Sequence, residues 1–179
     1  MTPIFAIMIK NRPIQLLYGQ LGLILLVLLT PAVMKAEFPV ADKVVIEKAV
    51  RKLHLMQNGK AFRTFKIALG LRPVGDKKKE GDFKTPEGRY YLDSRNQHSD
   101  YFLAIHISYP DSADLSEARQ TGNDPGGAIM IHGQPNEPTR SETYYRTQDW
   151  TNGCIAVSNS DMIDIWLMTG ENTPIEIRP

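Results

Sequence analysis

Cysteine is nearly absent from this sequence of 179 residues, in which Cys154 is the single thiol. A lone cysteine excludes an intramolecular disulfide, the usual covalent support of small exported domains. The sequence also has no large excess of positive or negative charge, because the two almost cancel to a formal net charge of +1. A nucleic-acid partner normally requires a concentrated basic surface, so we set that class aside. The chain has no internal repeat or low-complexity tract, and its length suits one domain of ordinary size.

Only one long apolar run is present, and it lies near the N-terminus. Two basic residues precede this run, which covers residues 14–34 and has no charge in its densest part. The pattern predicts export to the periplasm or another extracytoplasmic part of the cell envelope. Ala36 suits the last residue before a cut, but Met34 is large for a cleavage site, so an uncleaved membrane anchor is the alternative. We therefore predict a signal peptide or N-terminal membrane anchor over 1–36 and one domain over 37–179.

Short strands are the main pattern after this segment. Apolar residues with partial alternation over 44–50 and 52–56 are followed by Asn58-Gly59, a strong hairpin signal, and by a third strand over 62–69. Regular strand–helix–strand spacing is lacking, so we predict a mostly β domain with a few short helices, of the α+β class. Further strands are predicted over 89–92, 102–108, 128–131 and 175–177, and helices over 113–119 and after Ser158, with His98 in a polar turn.

Residues 70–88 form a long polar connection whose proline and glycine positions predict consecutive turns. Asp82, Thr85 and Gly88 are expected to define the shape of this loop. The run from Lys77 to Lys79 is interpreted as a solvated part of it, with contact to an anionic wall polymer as the alternative.

Cys154 is the first candidate for chemistry, because it follows Gly153 in a predicted tight turn. Such a turn exposes a sulfur and aims neighbouring backbone N–H groups at the same space, where an oxyanion can bind. A free thiol is mostly protonated at neutral pH and needs a base. His132 ends a predicted buried strand beside Gly133, whereas the other three histidines lie in less suitable positions. An inert core cysteine and a structural histidine remain the alternatives.

Three phrases give a more specific indication. Residues 81–90 (GDFKTPEGRY), 126–133 (GGAIMIHG) and 151–155 (TNGCI) resemble, in order and approximate spacing, the L,D-transpeptidase catalytic domain, also called the YkuD-type domain. The resemblance implies a β-sandwich-like fold and no metal or organic cofactor. It also implies site roles: Cys154 is the nucleophile, His132 the base, the carbonyl of Gly133 orients the imidazole, and the N–H groups of Gly153 and Cys154 bind the oxyanion.

The sequence departs from the usual family pattern at two positions. Thr151 stands where serine is usual, and Ala156 stands where an arginine usually follows the cysteine and isoleucine. The second change removes a cation near the nucleophile that could pair with a substrate carboxylate. Arg140 or Arg146 could substitute for it, with solvated surface arginines as the alternative. The residues expected to bind substrate are Trp150, Thr151, Asn152 and Arg146.

The resemblance implies that the partner is the stem peptide of peptidoglycan. In that reaction the thiolate forms a thioester with the third stem residue and releases the terminal D-alanine. An amine acceptor on a second stem would give a cross-link, and an amine on a wall-anchored protein would give an anchor. Water as acceptor would make the enzyme an L,D-carboxypeptidase or endopeptidase. A non-catalytic wall-binding module is the alternative outside enzymes, and the membrane is a partner if the N-terminal segment stays uncleaved.

Overall fold

Eight strands form one mixed sheet at the centre of the structure, a computed structural model that describes residues 38–179. The strands are β1 (Lys43–Glu47), β2 (Lys52–Gln57), β3 (Lys60–Lys66), β4 (Gly88–Ser99), β5 (Phe102–Ile107), β6 (Met130–His132), β7 (Ile155–Ala156) and β8 (Thr173–Arg178), in the sheet order β3-β2-β1-β8-β4-β5-β6-β7. The predicted mostly β class is confirmed. The predicted export segment lies outside the described residues. None of the helices within 38–179 has the length and apolar character needed to cross a bilayer.

The hairpin signal at Asn58-Gly59 is confirmed by the turn between β2 and β3. Both residues have positive φ, 52° and 74°, as the favoured two-residue turn requires. The strands on either side pair antiparallel, with Gln57 opposite Lys60. This turn is therefore determined by local chemistry.

The two ends of the strand order are also linked. Ala68, just after β3, pairs with Ala156 of β7 through two backbone hydrogen bonds of 2.8 Å. The chain after β3 thus returns to the far edge of the sheet, and one hydrophobic core collects side chains from all eight strands. Because this closure holds β7 on both sides, it positions the residues just before β7.

The fourth strand is longer than predicted. We expected His98 in a polar turn, but β4 continues through it to Ser99, which pairs with Phe102 of β5. The expectation was wrong because pairing with a buried partner strand outweighs the low strand preference of polar residues. The turn consequently falls at Asp100 and Tyr101.

Three helices accompany the sheet: α1 (Ser112–Thr121), α2 (Glu142–Thr147) and α3 (Asn159–Met168). The helix predicted over 113–119 is confirmed as α1. The predicted start after Ser158 is also confirmed, since the Ser158 hydroxyl accepts the N–H of Asp161 and caps α3. Helix α2 was not predicted, because six mostly polar residues carry no apolar period.

The long connection between β3 and β4 is anchored by Lys48, which directly follows β1. Lys48 is buried, and its ammonium donates to the carbonyls of Gly75 and Thr85 and to the carboxylate of Glu87, at 2.8–2.9 Å. Three anchors along one loop restrict its conformations. The loop therefore presents a defined surface to the rest of the site.

Candidate active site

A cavity of about 700 Å³ joins the histidine and the cysteine singled out from the sequence. His132 ends β6, and Cys154 lies in the turn just before β7; the parallel pairing of these strands sets His132 opposite Ala156. Both side chains line the cavity. The thiol donates to the carbonyl of Ala128 at 3.5 Å, and among the described residues no hydrogen bond joins it to the imidazole. The tertiary proximity that spacing alone could not establish is thus present.

The imidazole of His132 is held in one orientation. Its Nδ1 donates to the carbonyl oxygen of Gly133, 2.7 Å away, because a carbonyl can only accept. The other ring nitrogen, Nε2, is then the basic atom of the neutral ring. Burial lowers the pKa of His132 to about 4, although the bond to the Gly133 carbonyl acts in the opposite direction. The ring is therefore neutral at physiological pH.

The thiol of Cys154 is protonated at rest. Burial raises its pKa above the ordinary value, while a backbone hydrogen bond from Met130 and the positive charge of Lys77 lower it. Neutral thiol and neutral imidazole are the consistent pair, since burial disfavours the charged form of each group. Such a pair forms a thiolate only when a proton moves to the base.

The turn at the cysteine is braced by Thr151. The Thr151 hydroxyl donates to the carbonyl of Cys154 at 2.7 Å and accepts the N–H of Gly153 at 3.1 Å. The N–H of Gly153 is therefore already occupied, which departs from its expected role as an oxyanion donor. The N–H of Cys154 has no partner within residues 38–179. Thr151 is buried and acts on the turn, and its hydroxyl has no bond left to donate to a substrate.

Two glycines allow the loop after β3 to approach this turn closely. A Cβ on Gly153, which has φ +138°, would lie 2.7 Å from the carbonyl oxygen of Lys84. A Cβ on Gly70 would lie 2.2 Å from the carbonyl oxygen of Phe83 and 3.1 Å from the nitrogen of Gly153. The distances to the two carbonyl oxygens are too short for any side chain, so the loop and the cysteine turn pack backbone against backbone.

Aromatic rings surround the imidazole. Tyr101, in the turn that the longer β4 displaces, lies 4.7 Å from His132 between ring centroids, and Trp150 lies 5.6 Å from it. The Trp150 indole N–H donates to the carbonyl of Tyr145 at 3.1 Å, which orients this ring. Tyr101 was not predicted, because a tyrosine in a polar turn carries no local signal for this contact.

A second cavity, of about 650 Å³, adjoins the first and shares Tyr101 and Trp150 with it. Arg140 lines this second cavity, with its guanidinium 5.7 Å from the centre of the Tyr144 ring. Arg146 lines neither cavity; its side chain is 60% exposed and lies 3.6 Å from Glu142 on the same helix. The structure thus does not support the expected substrate contact of Arg146, because α2 directs it to solvent.

The other expected substrate-binding residues, Trp150 and Asn152, do line the first cavity, as does Thr151. Lys77 lines it too, which corrects our interpretation of the lysine run as fully solvated. The Lys77 side chain is only 4% exposed and pairs with Asp82 at 3.0 Å. Within residues 38–179, no three histidine, cysteine, aspartate or glutamate side chains are grouped so as to hold a metal ion.

Asp82 organises the loop around Lys77, as expected from the sequence. Its carboxylate accepts the backbone N–H groups of Lys78, Lys79 and Lys84 at 2.8–3.1 Å. Burial alone would raise the pKa of Asp82, but these bonds and the Lys77 ammonium hold it below its ordinary value. The expected role of Asp82 in loop shape is confirmed.

The closed sheet and the cavity define a class of β-rich domain in which a buried imidazole and a lone thiol line one space. The model of the L,D-transpeptidase catalytic domain (YkuD) matches residues 41–177, most of the chain. The chain belongs to the L,D-transpeptidase catalytic domain family.

Three individual proteins are similar to this chain. The L,D-transpeptidase-type protein YafK of Escherichia coli (strain K12) is 37% identical over 73 residues, which are 39% of this chain and 27% of YafK. The helical cell shape determining protein Pgp2 from Campylobacter jejuni is 30% identical, with a TM-score of 0.58 over 76% of this chain and 46% of Pgp2. Bd1075 from Bdellovibrio bacteriovorus shares the fold, at 23% identity and a TM-score of 0.52 over 75% of this chain and 46% of Bd1075. The match thus spans about a quarter of YafK and under half of the two solved chains.

Proposed function

We propose that this protein is a peptidoglycan L,D-transpeptidase that works through a cysteine thioester. The observation that carries the proposal is the shared cavity of Cys154 and His132, in which the Gly133 carbonyl leaves Nε2 of the imidazole free as a base. The substrate is the tetrapeptide stem, and the scissile carbonyl belongs to its third, diamino-acid residue. Family membership supports a role in peptidoglycan chemistry and does not by itself specify the reaction.

The first half-reaction uses the neutral pair. As the sulfur of Cys154 attacks the carbonyl carbon, its proton moves to Nε2 of His132, and the carbonyl oxygen becomes an oxyanion. The free N–H of Cys154 is the available backbone donor for that oxyanion, since the N–H of Gly153 already bonds to Thr151. Collapse of the tetrahedral intermediate breaks the peptide bond, and His132 returns the proton to the amine of D-alanine. The product is a thioester.

The second half-reaction depends on the acceptor. The second cavity touches the first through Tyr101 and Trp150, so an acceptor bound there lies beside the thioester. Its lining includes two carboxylates, of Asp100 and Glu137, against the one guanidinium of Arg140, so it attracts a positively charged amine before that amine loses its proton to His132. These features favour an amine acceptor, and hence transpeptidation, over water.

The site of action follows from the N-terminal segment. The apolar run of 14–34 with basic residues before it predicts export, so we propose that the domain acts on the wall outside the cytoplasm. A wall-anchored protein is a second amine donor compatible with the same acceptor cavity.

Mass analysis of products tests the function. Full-length protein is incubated with disaccharide-tetrapeptide, beside a Cys154→Ala control. Dimers with loss of D-alanine are expected from the wild type and are absent from the control. Loss of D-alanine without dimers would identify a hydrolase. If the wild type is folded but the substrate stays unchanged and the Cys154 thiol stays unmodified, the protein is a binding module.

A further inference from the structure

The buried ammonium of Lys77 is the feature of the cavity that the proposed mechanism does not use. Its Nζ donates to the carbonyl of Lys79 at 2.9 Å and to the carboxylate of Asp82 at 3.0 Å. An ammonium has three N–H donors, so one donor has no partner among residues 38–179. Because Lys77 lines the cavity that contains Cys154, the remaining donor is available to a bound ligand.

The position of this ammonium is defined before any ligand binds. Asp82 holds Lys77 and also accepts the backbone N–H of Lys84. The carbonyl of Lys84 in turn lies so close to Gly153 that no Cβ fits between them. A short series of contacts thus connects Nζ to the cysteine turn, and a rigid donor loses little entropy on binding.

Lys77, although paired with Asp82, carries the one positive charge among the side chains that line the described cavity. Apart from the thiol, its ionisable lining residues are His132, Lys77, Glu80 and Tyr101, and the imidazole is neutral at physiological pH. Glu80 is exposed to solvent, whereas Lys77 is buried, so water screens the charge of the ammonium less. Ala156, where the family pattern usually has arginine, is 2% exposed and supplies no charge. Lys77 is therefore the cation of the described cavity.

We propose that Lys77 is a specificity-determining residue whose third N–H binds a carboxylate of the donor stem peptide during acylation. The proposal rests on the proposed function and specifies its donor. Two carboxylates lie near the scissile bond of such a stem: the α-carboxylate of the leaving residue and the side-chain carboxylate of the diamino acid. Either forms a charge-assisted hydrogen bond with an ammonium, and the pair displaces water from a partly enclosed space.

The test compares donors that differ only in charge. Four synthetic tetrapeptides carry each carboxylate free or as a carboxamide, and kcat/KM for acylation of Cys154 is measured by intact mass in full-length protein. One of the two amidations is expected to lower the wild-type value at least tenfold, which identifies the bound carboxylate, since hydrogen bonds to charged groups are worth about that factor or more. In Lys77→Met the carboxylate and carboxamide donors are expected to react at equal rates.

A merely structural role for Lys77 would lower acylation by all four donors equally and leave their ratios as in the wild type, and this result would overturn the proposal. Lys78→Met is the matched control, because the Lys78 side chain is exposed and its ammonium pairs with Asp76 and Glu117, outside the cavity lining. Its ratios are expected to equal those of the wild type. If Lys77→Met fails to fold, the same comparison of carboxylate and carboxamide donors is made with Lys77→Gln. Equal rates of acylation of the wild type by all four donors would also overturn the proposal. If a β-lactam probe acylates Cys154 but the four peptides react at equal rates, the proposal about Lys77 fails and the proposed function stands. If neither the probe nor any peptide acylates Cys154, the proposed function itself is contradicted.

Discussion

The hydroxyl of Thr151 donates a hydrogen bond to the carbonyl oxygen of Cys154, 2.7 Å away. The hydroxyl oxygen of Thr151 also accepts the N–H of Gly153, so one side chain closes the turn that holds the thiol. The position is buried, which leaves water little access to replace these bonds. The usual family residue, serine, also carries a hydroxyl, and threonine keeps a hydroxyl in this turn.

Removing this hydroxyl is expected to destabilise the turn. Thr151→Val keeps the shape but leaves the Cys154 carbonyl and the Gly153 N–H unsatisfied, which costs about 1–3 kcal/mol of unfolding free energy. Thr151→Ser retains both bonds and loses one methyl, for a cost of about 1 kcal/mol. Urea denaturation of both variants measures the difference. Equal stabilities would mean that the bonds contribute nothing net.

Adding one methyl at Gly70 is expected to separate the loop from the cysteine turn. The new Cβ would lie 2.2 Å from the backbone oxygen of Phe83, which cannot move as a flexible side chain does. Gly70→Ala should therefore lower the unfolding free energy by about 2 kcal/mol or more and slow labelling of Cys154 by an acylating probe.

Gly127→Ala is the control for this change, because a Cβ there meets its nearest atom, in Pro110, at 3.9 Å. Its unfolding free energy should stay within about 0.5 kcal/mol of the wild type. A Gly70→Ala variant as stable and as reactive as this control would show that the close approach is not needed.

The protonation of the resting thiol can be measured by alkylation. Burial raises the pKa of Cys154 and lowers that of His132, so thiolate is scarce at neutral pH. The rate of reaction with iodoacetamide should rise about tenfold per pH unit from pH 6 to above pH 8, in the wild type and in His132→Gln alike. A plateau between pH 5 and 8 that disappears in His132→Gln would instead indicate a thiolate–imidazolium pair.

Acid is expected to destabilise the fold through His132. Its pKa is about 4 in the folded protein and about 6.5 when unfolded, so between these values the unfolded chain binds the extra proton. The contribution of neutral His132 to the unfolding free energy is therefore complete above pH 6.5 and declines as the pH falls toward 4. Between pH 7.5 and 4.5 the wild type should lose about 2–3 kcal/mol more than His132→Gln, which cannot titrate. Parallel losses in urea denaturation would contradict the depressed pKa.

Local patterns were sufficient for much of the fold. The hairpin at Asn58-Gly59 and the start of α3 at Ser158 follow from short-range chemistry, in which a few neighbouring residues decide a turn or a cap. The same holds for His132 and Cys154 as candidates, because a strand end and a glycine turn are visible in the sequence. Helix α2 and the full length of β4 lacked such signals.

Tertiary structure alone decided what surrounds these two residues. The burial of Lys77, the contact of Tyr101 with His132 and the engagement of the Gly153 N–H all depend on which strands pair and where loops return. The physical reason is that periodicity and turn chemistry act over a few residues, whereas burial and charge depend on groups brought together from distant parts of the chain. The sequence thus determined which groups are present, and the strand order of the sheet decided their solvation, their partners and their protonation.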